Sequence, residues 1–211
     1  MLRRRGVRRQ RQLSLPRTAG WGGRRRGAGR RHDPNSGVSH RRRARFSRLP
    51  VHVTLRVLPH VWNLRSRRCF RALAGAFAAG RALFGARVCE FSVQGNHIHL
   101  IVEAGDASVL SRGIQGLTIR MARALNRVMG RVGRVFADRY HAHVLRTPRE
   151  VRHALAYVLD NHAIHARRSG RAVGNGPDVY SSRGYVVLRL GAPALTVPAG
   201  TWLLRRATAP P

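Results

Sequence analysis

The stretch CEFSVQGNHIHLIVE, residues 89–103, decides the fold. Apolar and polar side chains alternate in it at the period of two that is typical of a half-buried β-strand, both before and after the pair Gly95-Asn96. A Gly-Asn pair between two alternating runs is a strong signal for a β-hairpin. A two-residue turn places Ser92 opposite His99 on one sheet face, so we predict that this face of the hairpin is polar.

Further periodic segments lie on both sides of the hairpin. Residues 51–57 alternate like a strand, and apolar side chains recur at helical spacing from about Arg68 to Leu83 and from Val109 to Gly130. A mixed stretch from Phe136 to Leu145 predicts a fourth strand, and Pro148 begins an amphipathic segment that runs to about Ala166. The order predicts an α+β protein with a ferredoxin-like antiparallel four-stranded sheet (β-α-β-β-α-β), followed by a C-terminal helix.

The charge of the chain is far from that of an ordinary enzyme. Its 211 residues include 41 Lys or Arg, all of them Arg, against 8 Asp or Glu, and the formal net charge is +33. GC-rich coding explains Arg in place of Lys, but it does not explain the shortage of acids, because Asp and Glu also have GC-containing codons. A polyanion is therefore the expected partner, since neutralising phosphates releases condensed counterions.

Composition divides the chain into three segments. Residues 1–45 hold 16 Arg and one acid without apolar periodicity, which predicts a disordered Arg-rich extension over residues 1–48. The periodic segments define a domain at residues 49–168. Residues 169–211 are punctuated by Gly and Pro and form a C-terminal extension with one candidate strand, Tyr185–Leu190.

Neither a membrane nor an oxidising compartment is expected. The longest apolar stretches are far shorter than the roughly 20 residues of a membrane helix, and the N-terminus lacks the apolar core of a signal peptide. Cys69 and Cys89 form neither a paired metal motif nor a disulfide framework. We therefore expect a cytoplasmic protein.

Two histidines on the second hairpin strand are candidate metal ligands. His97 and His99 are two residues apart, so their side chains project in the same direction, as two imidazoles must to bind one ion. Two half-exposed histidines without a metal are the alternative interpretation. His141 and His143 have the same spacing, and both pairs cannot be the site.

Tyr157 and Asn161 lie four residues apart on the predicted last helix. They share one stripe of that helix and stand about 6 Å apart along its axis, close enough to serve one centre. Tyr157 lies to the side of the apolar stripe, which argues against a central core role. The alternative is a tyrosine packed at the edge of the helix interface.

These residues together resemble a known family. The run Gly95-Asn96-His97-Ile98-His99-Leu100-Ile101-Val102, followed by Arg146-Thr147-Pro148-Arg149-Glu150-Val151 and Ala156-Tyr157-Val158-Leu159-Asp160-Asn161, is similar to the HUH single-tyrosine transposases, and most closely to the REP-associated tyrosine transposases. Asp178-Val179-Tyr180-Ser181-Ser182 resembles a short tail element of those proteins. The resemblance covers about residues 50–185.

The resemblance implies the roles of the site residues. It implies a catalytic C-terminal helix in a transposase domain at residues 49–168, with Tyr157 as the nucleophile and His97, His99 and Asn161 as the metal ligands. Many relatives have Asn-Pro after the tyrosine, where this chain has Asn161-His162. His162 and Asp160 therefore stay open as alternatives for the third ligand.

The resemblance also implies the reaction and its partners. The substrate class is single-stranded DNA, often folded as a hairpin, and the cofactor a divalent metal, Mg²⁺ or Mn²⁺. Attack by the tyrosine would give a 5′-phosphotyrosine and a free 3′-hydroxyl. The phosphotyrosine bond conserves the energy of the phosphodiester, so a second hydroxyl can attack it and rejoin the strand, as DNA transposition requires. Because each chain has one nucleophile, two cleavages need two subunits, as in a homodimer, or two rounds. Apart from the resemblance, Arg120, Arg123 and Arg127 share one face of the predicted helix at 109–130 and could follow the DNA backbone; the alternative at each position is a solvated surface residue.

Three other functions compete with this one. A domesticated relative could bind DNA hairpins without cutting them, and a basic RNA-binding protein could share the composition and the ferredoxin-like order, since fold alone does not decide function. A zinc hydrolase is disfavoured, because the chain is short for a barrel enzyme of about 250 residues.

Overall fold

The computed structural model describes residues 45–168, 170, 176–188 and 193–208. Nearly all of the predicted N-terminal extension, residues 1–48, lies outside the described residues, as do parts of the C-terminal extension. Within the described part of the chain, no helix is long and apolar enough to cross a membrane.

The described residues form an α+β fold around one antiparallel sheet, as predicted. The five strands lie in the order β2-β3-β4-β1-β5. The elements are β1 (Leu49–Arg56), α1 (Arg67–Gly80), β2 (Ala82–Leu83), β3 (Ala86–Val93), β4 (His97–Ala104), α2 (Ala107–Met129), β5 (His141–Val144), α3 (Pro148–Arg168), α4 (Ser182–Leu188) and α5 (Trp202–Thr208).

The hairpin and the four predicted strands are present, with one addition. β3 and β4 pair so that Ser92 lies opposite His99, as the two-residue turn requires. The additional strand is β2, whose two residues follow α1 and pair with the start of β3. α1 therefore ends at Gly80, three residues earlier than its apolar spacing suggests.

Two predicted strands differ from the structure. The fourth is shorter than the predicted range 136–145, because only His141–Val144 pair with β1 and Phe136 makes a single isolated bridge to Val57. The candidate strand Tyr185–Leu190 is wrong: its described part belongs to the helix α4. A short apolar run does not distinguish a strand from a helix. The hydroxyl oxygen of Ser181 accepts the backbone N–H of Gly184, a contact that favours the start of a helix here.

The sheet separates two layers of helices. Side chains such as Val53, Phe91 and Leu100 are buried in the larger core, which includes residues of α1 and α2. The smaller core, on the other face, joins Ile101 of the sheet to α3 and α5. Because alternate strand residues point to opposite faces, the polar residues of β1 and β4 share the face that α3 covers. The register sets Thr54 opposite His99 and places His52 two residues before Thr54.

Two helical glycines give opposite predictions for stability. A Cβ added at Gly113 would lie 2.2 Å from the Cβ of Ala86, whereas no described atom lies within 4 Å of a Cβ added at Gly75. We expect Gly113→Ala to lower the free energy of unfolding by about 1–3 kcal/mol through overpacking. Gly75→Ala should raise it by about 0.5–1 kcal/mol, because Ala loses less backbone entropy in a helix. Urea unfolding of the two variants measures both, and equal effects would contradict the close contact between α2 and β3.

Candidate functional site

The two hairpin histidines lie side by side on β4. The ring centroids of His97 and His99 are 4.7 Å apart and their planes are nearly perpendicular, at 86°. His97 is half-buried, and His99 is only 4% exposed. Nδ1 of His97 lies 2.8 Å from Oδ1 of Asn96. Because an amide oxygen only accepts, Nδ1 donates in this bond, and the lone pair of a neutral His97 ring is then on Nε2.

Tyr157 lies against His99 from helix α3, which covers this face of the sheet. Its ring centroid is 5.2 Å from that of His99, in an edge-to-face arrangement at 78°. The side chain is still 43% exposed, so solvent or a large substrate reaches it. The structure thus brings together a strand pair and a helical tyrosine separated by almost sixty positions in the sequence.

Asn161 lies one helical turn after Tyr157 and is fully buried. Neither its amide nitrogen nor its amide oxygen has a hydrogen-bond partner among the groups that the structure describes. A buried amide without a partner costs about 1–3 kcal/mol, and most such groups in proteins are satisfied by some ligand, water or ion. A water molecule, an ion or a ligand is therefore expected at this amide.

The two alternatives to Asn161 have different surroundings. Nδ1 of His162 lies 4.0 Å from a carboxylate oxygen of Asp178. Asp160 is exposed and lies in a groove that Arg152 and Arg183 also line. Of the three residues, Asn161 is the one whose side chain is fully buried.

The residues fit a divalent cation only if the amide takes part. Within the described ranges, no group of three or more His, Cys, Asp and Glu side chains could hold a metal. A set of His97, His99 and Asn161 would instead supply two neutral imidazoles and an amide oxygen. Such a mixed nitrogen-oxygen set suits Mn²⁺ or Mg²⁺ with open positions for substrate and water, and the unsatisfied amide of Asn161 is consistent with it.

His141 and His143 lie on β5, which pairs with the edge of β1 that does not face β4. In the register of β1 and β5, His143 lies opposite His52 and His141 opposite Thr54. Both β5 histidines are exposed. Tyr157 makes ring contacts with His99 and His52, so His99 is the member of the β4 pair that the helical tyrosine meets.

His52 is a site residue that sequence reasoning missed. Its Nε2 lies 3.1 Å from Nδ1 of His99, and its ring centroid is 5.9 Å from that of Tyr157. Burial lowers the pKa of His52 to about 4, with further lowering by the nearby His141 and His143. The imidazole is therefore neutral at pH 7. The sequence shows that His52 and Thr54 lie on the same face of β1. It does not show that this face lies beside His99, which depends on the pairing of β1 with β4.

The tail element is held next to this site by a buried ion pair. Arg65 donates two hydrogen bonds to the carboxylate of Asp178, at 2.7 and 2.8 Å, and a third to the carbonyl of Val93. The Arg65 guanidinium also stacks 4.3 Å from the ring centroid of Tyr180. Asp178 is almost fully buried. Residues 178–182 are thereby fixed to the end of β3, beside α3.

A half-buried carboxyl completes the attachment of the tail. Ser182 donates a hydrogen bond to the Glu90 carboxylate, and its hydroxyl oxygen accepts the backbone N–H of Phe91 at 3.2 Å. Burial raises the pKa of Glu90, and the bond from Ser182 and the charge of Arg183 partly offset this rise. The contacts join α4 to β3 at the edge of the layer that contains α3.

The three predicted DNA-binding arginines lie away from Tyr157. Arg120, Arg123 and Arg127 are exposed on α2, whose buried side chains belong to the core on the other face of the sheet. The structure therefore does not bring them together with the histidines. Arg120 and Arg127 instead line a groove between α1 and α2 that Arg68 and Arg71 also line and that has Ala side chains between them.

Comparisons with known proteins point to one fold. No protein-family model matches the sequence, and no curated protein matches it significantly. A solved REP-associated tyrosine transposase bound to a REP hairpin is similar, with a TM-score of 0.53 and 15% identity over 77% of this chain and 93% of that chain. A putative transposase from Deinococcus radiodurans R1 has a TM-score of 0.41 and 12% identity over 64% of this chain and 100% of that chain. This chain therefore has the α+β fold of a REP-associated tyrosine transposase, and the resemblance read from its motifs is confirmed at the level of the fold.

Proposed function

We propose that this protein is a tyrosine transposase that nicks and rejoins single-stranded DNA with the help of a divalent metal. One observation carries the proposal: Tyr157 lies in ring contact with His99, on the sheet face that also presents His97 and His52. The half-exposed tyrosine is the only one of these four side chains that can act as an oxygen nucleophile. The solved relative binds a REP hairpin, and hairpin DNA is the substrate class that we infer for this chain.

The proposed reaction is an in-line displacement at phosphorus. The phenol oxygen of Tyr157 forms a bond to the phosphorus, the bond to the 3′-oxygen breaks, and the products are a 5′-phosphotyrosine and a 3′-hydroxyl. An ordinary phenol has a pKa of about 10, so the proton must leave during attack, to water or to a nearby base, and the departing 3′-oxygen takes up a proton from water. A divalent ion held by His97, His99 and Asn161 would supply the polarisation of the phosphate. The neutral ligands add no charge, so the ion would keep its full charge for the substrate.

The rigid packing of the site supports this chemistry. His99 lies on a fully paired central strand, and α3 is fixed to the same face by its apolar residues. A nucleophile and a metal-binding pair that are held on rigid elements lose little entropy on reaching the reactive geometry. The exposed side of Tyr157 leaves room for a DNA strand.

The exposed surface of α1 and α2 is suited to binding the DNA backbone. α1 carries three Arg and α2 carries four, and neither helix contains an acidic residue. Such a surface attracts phosphates by charge alone. Because it lies on the other face of the sheet from Tyr157, we infer that it holds DNA at a distance from the cleaved bond. The Arg side chains would then increase the affinity for DNA without taking part in the cleavage step.

This surface gives a prediction about salt dependence. We expect Arg120→Gln, Arg123→Gln and Arg127→Gln together to weaken binding of hairpin DNA and to reduce the slope of log K against log salt by up to about 2–3, because each lost phosphate contact removes roughly 0.7–0.9 from the slope. Fluorescence anisotropy at several salt concentrations measures the slope. Cleavage of saturated DNA should persist. An unchanged slope would show that these arginines do not meet the backbone.

The proposed function is tested by trapping the covalent intermediate. Purified protein is incubated with labelled DNA that folds into a hairpin, in Mn²⁺ or in EDTA. We expect a denaturant-stable adduct with Mn²⁺ and none with EDTA. DNA binding without any adduct, in either Mg²⁺ or Mn²⁺, would support the binding-only alternative. Preference for structured RNA over the hairpin would support the RNA-binding alternative.

A further inference from the structure

His52 is a half-buried polar side chain on β1 to which the reaction above assigns no role. It contacts a proposed metal ligand and the proposed nucleophile at once. Its Nε2 lies 3.1 Å from Nδ1 of His99, with ring centroids 5.2 Å apart. Its ring also meets that of Tyr157 at 68°, with centroids 5.9 Å apart. A histidine in this place can therefore influence the orientation of His99.

The contact determines which nitrogen of His99 is available to a metal. Nδ1 of His99 faces β1, where Oγ1 of Thr54 lies at 3.2 Å in addition to His52. Nε2 is the other ring nitrogen, and it coordinates a metal only as a lone pair. A neutral ring with its lone pair on Nε2 carries its proton on Nδ1. That proton needs an acceptor, and Nε2 of His52 lies within hydrogen-bonding distance to supply one.

We propose that His52 is a positioning residue that accepts the Nδ1 proton of His99, and thereby holds His99 in the tautomer and ring orientation that metal binding requires. The inference rests on the proposed function, since it assigns His52 a role in the same site. Hydrogen bonds to the second nitrogen of a ligating histidine are a general way to orient the ring and raise its basicity. Thr54 adds a weaker acceptor at the same nitrogen.

The chain supplies a matched control. His143 is the residue opposite His52 in the pairing of β1 with β5, and it is exposed. A change of His143 alters the charge and volume near β1 without removing the bond between His52 and His99. Effects that are specific to His52 are therefore separable from a general effect of losing a histidine on this face.

The first test determines the tautomer of His99 in the metal-free protein. Long-range ¹H–¹⁵N correlations report which imidazole nitrogen carries the proton, and the His99 signals are identified by their loss in His99→Gln. We expect the Nδ1–H form in the metal-free wild type, a mixture of forms in His52→Phe, and recovery in His52→Gln, whose amide oxygen can accept the same proton. The Nε2–H form in the wild type, or no change in His52→Phe, would overturn the proposal.

The second test measures the affinity of the protein for Mn²⁺. Titration with Mn²⁺ alone, followed by electron paramagnetic resonance, should show binding about 10–100-fold weaker in His52→Phe than in the wild type. His52→Gln should recover part of the loss, and His143→Phe should bind Mn²⁺ like the wild type. Circular dichroism checks that the variants are folded. Equal affinity in folded His52→Phe and wild type would overturn the positioning role.

The two inferences fail in different ways. If the wild type binds Mn²⁺ and forms the DNA adduct while His52→Phe does both equally well, only the role of His52 is wrong. If the wild type forms no adduct and binds no Mn²⁺, the proposed function is wrong, and the tautomer measurement still decides whether His52 controls the proton on His99.

Discussion

Tyr157→Phe should abolish the covalent protein–DNA adduct. Loss of a covalent nucleophile lowers enzyme rates by up to about 10⁶-fold, so the adduct should fall below detection. The phenylalanine ring preserves the edge contacts with His99 and His52. Because the side chain is 43% exposed, loss of its hydroxyl should change the free energy of unfolding by less than about 0.5 kcal/mol. A denaturing gel with labelled hairpin DNA and Mn²⁺ measures the adduct, and anisotropy shows that DNA binding is retained.

The other three tyrosines provide the controls for this prediction. Tyr140 and Tyr185 are 9% and 7% exposed, and Tyr180 lies under the guanidinium of Arg65. We expect Tyr140→Phe, Tyr180→Phe and Tyr185→Phe all to form the adduct. Adduct formation by Tyr157→Phe, together with its loss in one of these three variants, would place the nucleophile elsewhere.

Asp178→Ala should destabilise the protein by about 3 kcal/mol. Removing one partner of a buried ion pair costs about 3–5 kcal/mol, because the other charge is left without compensation. Arg65 would lose both bonds to the carboxylate, and the backbone N–H of Tyr180 would lose its acceptor. The 25% exposure of the Arg65 side chain lets water replace part of the interaction, which places the expected value at the low end.

Asp106 is the matched control for this change. Its carboxylate also accepts two hydrogen bonds, from the backbone N–H groups of Ser108 and Val109, but it does so at the exposed start of α2. Loss of such an N-cap costs about 1 kcal/mol. Urea unfolding of Asp178→Ala and Asp106→Ala should therefore give clearly different midpoints. Equal costs would show that the tail element contributes little to the stability of the fold.

A double-mutant cycle separates the ion pair from the other losses. If the ion pair is the main contribution of these residues to stability, Arg65→Met combined with Asp178→Ala should lower the free energy of unfolding by much less than the sum of the two single changes. In the double variant no charge remains buried without a partner. Simple additivity of the two costs would show that Arg65 and Asp178 stabilise the protein independently.

Much of the fold could be predicted because its elements are strongly periodic. The hairpin at residues 89–103 is present with the predicted pairing. α2 and α3 lie where the apolar spacing places them, and α1 does so except that it ends three residues early. The failures concern short segments. Residues 185–190 form a run too short for its period to distinguish a strand from a helix. Its described part is helical, and the contact from Gly184 N–H to the Ser181 hydroxyl favours that start. β2 has only two residues and no detectable pattern.

The candidate site was predictable only in part. The spacing of His97 and His99, and of Tyr157 and Asn161, shows which side chains of one element point the same way. It does not show which other elements meet that face. His52 was missed because its contact with His99 depends on the pairing of β1 with β4, across 47 positions of the sequence. The location of Arg120, Arg123 and Arg127 away from Tyr157 depends in the same way on the face against which α2 packs.

The sequence by itself determined the periodic elements, the excess positive charge and the face of each strand or helix on which a polar side chain lies. These properties depend on local geometry, because side-chain direction repeats every two residues in a strand and every 3.6 in a helix. Only the tertiary structure decided that the ring of Tyr157 meets His99, that His52 joins them, and that Arg65 holds Asp178 across 113 positions. Strand register and the packing of helices on the sheet are set by the burial of many apolar side chains together, which no local pattern contains.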